Sequence, residues 1–159
     1  MGRQKWVVSV SGSYTSLHYH IVFSVKDRRP LLTPEIAPRV CEYIAGIVRR
    51  INGVPIIDGG TADHTHILCG LHQTLAISEA LRHIKAGSSQ WIHETFPAMA
   101  DFAWQEGYGA FSVGVTGIER TKRYIENQDV HHQTATFQEE FLEFLARHDI
   151  PYDERYIWK

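Results

Sequence analysis

Asp63-His64-Thr65-His66-Ile67-Leu68 places two histidines one residue apart in an apolar, β-branched setting that reads as a strand. Side chains at i and i+2 leave the same face of a sheet, so His64 and His66 converge on one small volume. Two neutral imidazoles held there supply half of a divalent metal site, and the missing ligands must come from elsewhere in the chain. Taken alone, such a pair reads equally as two ordinary sheet histidines facing solvent or a polar neighbour.

The flanking pattern says what kind of sheet holds that strand. Residues 19–25 alternate, with Tyr19, Ile21, Phe23 and Val25 on one side and His20, Val22 and Ser24 on the other, which predicts a first core strand. Thr33-Pro34-Glu35 supplies a cap and first-turn proline to a helix whose apolar residues Ile36, Val40, Ile44, Ile47, Val48 and Ile51 recur at helical spacing until Asn52-Gly53 stops it. Val54–Asp58 and Thr61–Cys69 are β-branched runs joined through Gly59-Gly60, a hairpin signal that sets His64 and His66 on an inner strand. Ile77, Leu81, Ile84, Trp91 and Ile92 mark a second long helix, and Tyr108–Val113 a fourth strand. This order predicts an α+β, ferredoxin-like (split βαβ) fold, with a central antiparallel sheet, both helices on one face and the other face free for a ligand.

The search for completing ligands ends at residues 120–128, which read as helix. Tyr124 and Gln128, four apart, share a face that offers a phenol and a neutral carbonyl oxygen. A carbonyl oxygen beside two imidazoles makes a mixed N/O site with open positions. An ordinary phenol, with a pKa of about 10, is a poor nucleophile unless it is activated or its target is polarised. Downstream, Thr136-Phe137-Gln138-Glu139 reads as a capping box opening a last helix with Phe137, Phe141, Phe144 and Leu145 at core spacing, ended by Pro151. An aromatic tail with Tyr152, Tyr156 and Trp158 follows.

A chain of 159 residues, 43% hydrophobic, suits one domain with a substantial core. Within it we expect a lead-in (1–17), the ferredoxin-like core (18–115), the tyrosine helix (116–132) and a C-terminal helix and tail (133–159). Cys41 and Cys69 form no CxxC pair and read as buried reduced thiols. No apolar stretch approaches the roughly 18 residues of a membrane span, so a soluble, cytoplasmic protein is expected. No Gly-rich phosphate loop calls for a nucleotide cofactor. The net charge of −2 counts against a general nucleic-acid binder, yet the basic residues cluster. Lys26, Arg28 and Arg29 follow the first strand, Arg82 and Lys85 lie one helical turn apart, and Arg120, Lys122 and Arg123 flank Tyr124. These are candidate DNA-backbone contacts or simply solvated faces. The acids gather towards the carboxyl end, at Glu139, Glu140, Glu143, Asp149, Asp153 and Glu154. His131-His132 reads as a solvated helix end with at most one ring pointing inward.

Strand-borne His64-Thr65-His66, the helix Tyr124-Ile125-Glu126-Asn127-Gln128 and the intervening Trp104–Val113 segment together resemble the HUH-type single-tyrosine transposases of the smallest bacterial insertion sequences. The resemblance runs from about Tyr19 to just beyond His132. That family usually carries a large hydrophobe where this chain has Thr65. The resemblance implies that Tyr124 attacks a phosphodiester of single-stranded DNA, giving a 5′-phosphotyrosyl enzyme and a free 3′-hydroxyl. It also implies that His64, His66 and Gln128 hold Mg²⁺ or Mn²⁺, that the DNA carries hairpin ends, and that the protein is a homodimer. The alternatives are a non-catalytic or domesticated relative that binds DNA hairpins, and a ferredoxin-like RNA binder. Against the latter, no aromatic pair of the RRM type stands out on the central strands.

Overall fold

The computed structural model describes residues 12–159. Residues 1–11 of the expected lead-in lie outside the described residues. The elements are β1 (His18–Ser24), α1 (Ala37–Arg50), β2 (Val54–Thr61), β3 (His64–Gly70), α2 (Ile77–Thr95), β4 (Gly109–Val113), α3 (Ile118–Glu126), α4 (Gln128–His131) and α5 (Phe137–Arg147). The four strands form one antiparallel sheet in the order β2-β3-β1-β4, so the histidine strand is internal. This α+β arrangement is compatible with the split βαβ order.

The period-2 pattern of β1 and β3 divides the molecule. Ile21, Phe23, Val25, Ile67 and Cys69 face α1 and α2, and with Val40, Ile44, Ile47, Leu81, Ile84 and Ile92 they make the main core. Val22 pairs with His66, Ser24 with His64 and His20 with Leu68, so these six side chains share the opposite face. That face is not free, as the element order suggests, but covered. Its apolar members would otherwise meet water. Val22 and Phe111 bury against Phe137, Phe141 and Leu145 of α5, and Leu68 buries against Ile118 and Ile125 of α3. The two histidines lie between these satellite cores.

Three local expectations need correction. The β2–β3 turn is Ala62-Asp63, because Thr61 pairs with His64, and Gly59-Gly60 lie inside β2. Those glycines serve close approach instead. A Cβ on Gly60 would stand 2.2 Å from the His64 carbonyl oxygen, and one on Gly59 3.2 Å from Ile125 of α3. The last helix stops at Arg147, four residues before Pro151. Asp149 turns the chain with φ 52° and the Ile150 amide donates back to the Leu145 carbonyl at 3.0 Å. Cys41 is only partly buried, whereas Cys69 is fully so, and both are free thiols.

Thr65 faces the helix layer, where its hydroxyl donates to Asp58 Oδ1 at 2.7 Å and Cys41 Sγ donates to the same oxygen at 3.4 Å. Asp58 Oδ2 is cut off from solvent and has no partner. Burial pushes this carboxyl up to about 7, against the restraint of the Thr65 and Cys41 hydrogen bonds. The polar middle residue of the His-X-His motif therefore answers a polar residue on the neighbouring strand. No helix among the described residues is long and apolar enough to cross a membrane.

Candidate active site

His64 and His66 are both 0% exposed and turn their Nε2 atoms into the space beneath α3 and α5. Their orientation is set from behind. His64 Nδ1 lies 2.7 Å from Asp63 Oδ1 and 3.1 Å from Thr61 Oγ1, and Thr61 also donates to Asp63 at 3.0 Å. His66 Nδ1 pairs with His20 Nε2 at 2.8 Å across the β1–β3 ladder. With each Nδ1 engaged, each Nε2 is left as the inward-facing donor atom. Burial, reinforced by the facing His66, lowers His20 to about 3. Burial likewise lowers His66 to about 4, although the nearby Glu140 carboxylate opposes it. Both rings are neutral at ordinary pH, as metal ligation requires.

From the other side come Tyr124 and Gln128. The continuous helix expected through them breaks at Asn127, and Gln128 opens α4. Both side chains still face the histidines. Gln128 is 1% exposed, with its Oε1 3.2 Å from His64 Nε2. The ring of Tyr124 crosses His66 edge-on at 5.8 Å and His20 at 6.1 Å.

Glu140 of α5, counted above among the surface acids, is the residue that sequence reasoning missed. Its carboxylate is 1% exposed and joins every component. Oε1 lies 2.8 Å from His66 Nε2 and 3.6 Å from His64 Nε2. Oε2 accepts from the Tyr124 hydroxyl and from Gln128 Nε2 at 3.3 Å, and lies 3.1 Å from His132 Nε2 and 3.2 Å from His131 Nε2. Burial and the Glu140 contact together raise the Tyr124 phenol well above its ordinary value. Burial would raise the Glu140 carboxyl too, but the His66, Tyr124 and His64 contacts outweigh it and hold the group below the usual carboxylate range. The two adjacent histidines, His131 and His132, both reach this carboxylate, contrary to the expected solvated end, because α4 terminates there and the chain leaves helical geometry at His132. A signal for Glu140 does exist in the sequence. It lies three residues after Phe137 and four before Phe144, within the apolar stripe of α5.

One ligand atom from each of His64, His66, His132 and Glu140 lies within 4.8 Å of every other, so the cluster could hold a metal ion. Two observations fit a cation. His66 Nε2 and Glu140 Oε1 are buried without a hydrogen-bond partner, and the donor set is imidazole plus oxygen.

The basic residues divide. Arg29 pairs with Asp101 at 2.8 Å, Arg28 lies over the Trp158 ring and Arg82 pairs with Glu79. Lys85 donates to the carbonyls of Gln105, Glu106 and Gly107 at 2.5, 3.0 and 2.9 Å. Burial lowers its ammonium to about 8, and its place in the helix layer sets it across the sheet from the histidines. Arg123 is exposed on α3 with its Nε 3.4 Å from the Glu119 carbonyl, and Lys122 beside it is half-buried. Lys26 lies in the short turn after β1. A cavity of about 690 Å³ opens on His20 and Tyr124 and is lined also by Ser112, Arg120, Phe144 and Arg147.

A family profile described as "Transposase IS200 like" matches residues 13–128. The ISDra2 transposase TnpA of Deinococcus radiodurans is 24% identical over 123 residues, covering 74% of this chain and 87% of that protein. Among solved structures, a candidate transposase from Deinococcus radiodurans superposes with a TM-score of 0.63 at 21% identity, covering 76% of this chain and 97% of the other. A REP-associated tyrosine transposase bound to a REP hairpin gives 0.57 at 17% identity, covering 79% and 74%. The matched stretch ends at Gln128, short of Glu140 and all of α5.

Proposed function

Since the chain belongs to the IS200-like transposase family, we propose that it cleaves and rejoins single-stranded DNA in the cytoplasm by transesterification through Tyr124. The observation that carries this reading is the convergence of the Tyr124 hydroxyl and Gln128 on the same buried carboxylate that abuts the Nε2 atoms of His64 and His66. A phenol held at a candidate metal cluster is poorly explained as a core aromatic, because the fold gains nothing from burying so many polar groups around it.

The Tyr124 oxygen attacks the phosphorus of a phosphodiester, the bond to the 3′-oxygen breaks, and the strand is held as a 5′-phosphotyrosine with a free 3′-hydroxyl. Rejoining reverses the exchange, with a 3′-hydroxyl displacing Tyr124, so the bond energy is kept and no nucleotide is consumed. Asp63 and His20 hold the two imidazoles in the tautomer and orientation that present Nε2 inward. His64, His66 and Gln128 would hold the metal. Mg²⁺ or Mn²⁺ bound there supplies Lewis-acid polarisation of the phosphate oxygens and offsets charge in the transition state. The cavity that opens on Tyr124 gives a strand access, with Arg120 placed for its phosphates and Arg147, paired with Glu143, on its rim. DNA hairpins are the proposed substrate ends, a reading supported by the hairpin on the REP-associated relative, and a homodimer is the proposed assembly.

The test is incubation with a hairpin-bearing single-stranded oligonucleotide and Mg²⁺ or Mn²⁺. A covalent protein–DNA adduct is expected, absent in Tyr124→Phe and in His64→Ala. Tight binding with no adduct from the wild-type protein would instead identify a hairpin-binding relative without catalysis.

A further inference from the structure

Glu140 is a buried acidic residue, 2% exposed, and it lies where the proposed reaction would occur. Its Oε1 and the Nε2 of His66 approach to 2.8 Å, and neither atom has a hydrogen-bond partner. Two buried polar atoms so close and without hydrogen bonds are costly unless a shared cation beside them accepts both lone pairs. The neighbouring separations follow the same pattern, with 3.6 Å from Glu140 Oε1 to His64 Nε2 and 3.2 Å from His64 Nε2 to Gln128 Oε1. Adjacent ligand atoms sharing one small cation stand about 3 Å apart when each bond is about 2.1 Å.

We propose that Glu140 is a metal ligand, delivered by α5 through Oε1 to the site formed by His64, His66 and Gln128, while its Oε2 holds the Tyr124 hydroxyl. This rests on the metal reading of the preceding section and adds to it the anionic member of the site. Two imidazoles and an amide are neutral, and a dication buried among them would be uncompensated. One carboxylate halves that charge and leaves the complex cationic, as binding a phosphodiester demands. A carboxylate oxygen also moves the donor set towards the preference of Mg²⁺ and Mn²⁺. The same group ties nucleophile to metal, since Tyr124 reaches one oxygen and the proposed ion the other.

The experiment is Mn²⁺ binding to the full chain without DNA, by calorimetry and by the electron paramagnetic resonance signal of free Mn²⁺, for wild type, Glu140→Gln and His64→Ala. Both variants are expected to lose affinity by tenfold or more. If His64→Ala loses affinity while Glu140→Gln binds as tightly as wild type or more tightly, Glu140 is a plug rather than a ligand, and the proposal is overturned with the metal site intact. If neither variant changes affinity, the metal does not bind here and the underlying reading fails as well. Circular dichroism establishes that each variant is folded. Should Glu140→Gln not fold, the infrared difference spectrum of wild type on Mn²⁺ addition decides, because a carboxylate band must move, and its absence overturns the proposal.

Discussion

Asp58→Asn should change how stability depends on pH, and the size of the change can be worked out. The Asp58 carboxyl stands at about 7 in the folded chain against an ordinary 3.8. Between those values the folded state binds a proton that the unfolded state has released, so stability from this group is full below 3.8 and is lost as pH rises through about 7. Each unit is worth about 1.4 kcal/mol, so raising the pH from 5 to 7, where the folded carboxyl is half ionised, should cost the wild type about 2.3 kcal/mol through Asp58 alone. For a chain of this length that is roughly 5–10 °C in Tm. An asparagine keeps an acceptor for Thr65 and has no proton to lose. His20 and His66, both lowered, act in the opposite sense, losing stability as pH falls from about 6.5 towards 3 or 4, but they do so equally in both proteins and cancel from the difference. Urea or thermal unfolding at pH 5, 6, 7 and 8 should show the variant gaining on the wild type at each step. A gap constant to within about 0.5 kcal/mol would refute the assignment of a buried, proton-holding Asp58.

Two further predictions concern the frame of the site. Gly60→Ala should cost about 1–3 kcal/mol in urea unfolding, because its Cβ meets the His64 carbonyl oxygen at 2.2 Å and the β2–β3 ladder must shift. A stability equal to wild type would mean the ladder is not packed so closely. Lys85→Met and Arg120→Ala should separate structure from DNA contact. The first should lower stability by about 1–3 kcal/mol by removing the donor to three carbonyls, with single-strand affinity unchanged. The second should weaken single-strand binding and reduce its salt dependence, with stability unchanged. The reverse outcome would misplace the DNA path.

The histidine strand was legible because it rests on local periodicity, period two putting His64 and His66 on one side; the phenol and amide expected on one helical face both reach Glu140, although the helix breaks between them at Asn127. What was not legible depended on distant partners. Gly59-Gly60 carries the composition of a turn, and only the approach of Ile125 and the His64 carbonyl explains its use inside a strand. Glu140 disappeared into a count of acids because charge tallies ignore helical phase. The sheet face that element order left open is closed because Val22, Leu68 and Phe111 could not stay exposed, and α3 and α5 supply their cover. Thr65 reads as a weakened motif until its hydrogen bond to Asp58, diagonal to it on the neighbouring strand, is seen.

The capping box at Thr136 has a metric consequence. Thr136 and Glu139 exchange hydrogen bonds and so fix where α5 begins. Each residue of a helix advances the azimuth by about 100°, so the cap dictates which side chain of α5 points at the histidines. The stretch from Thr136 to Glu140 therefore works as a ruler. One residue added or removed between Thr136 and Glu139 would leave composition and helix content almost untouched while bringing Glu139 or Phe141 to the azimuth that Glu140 holds.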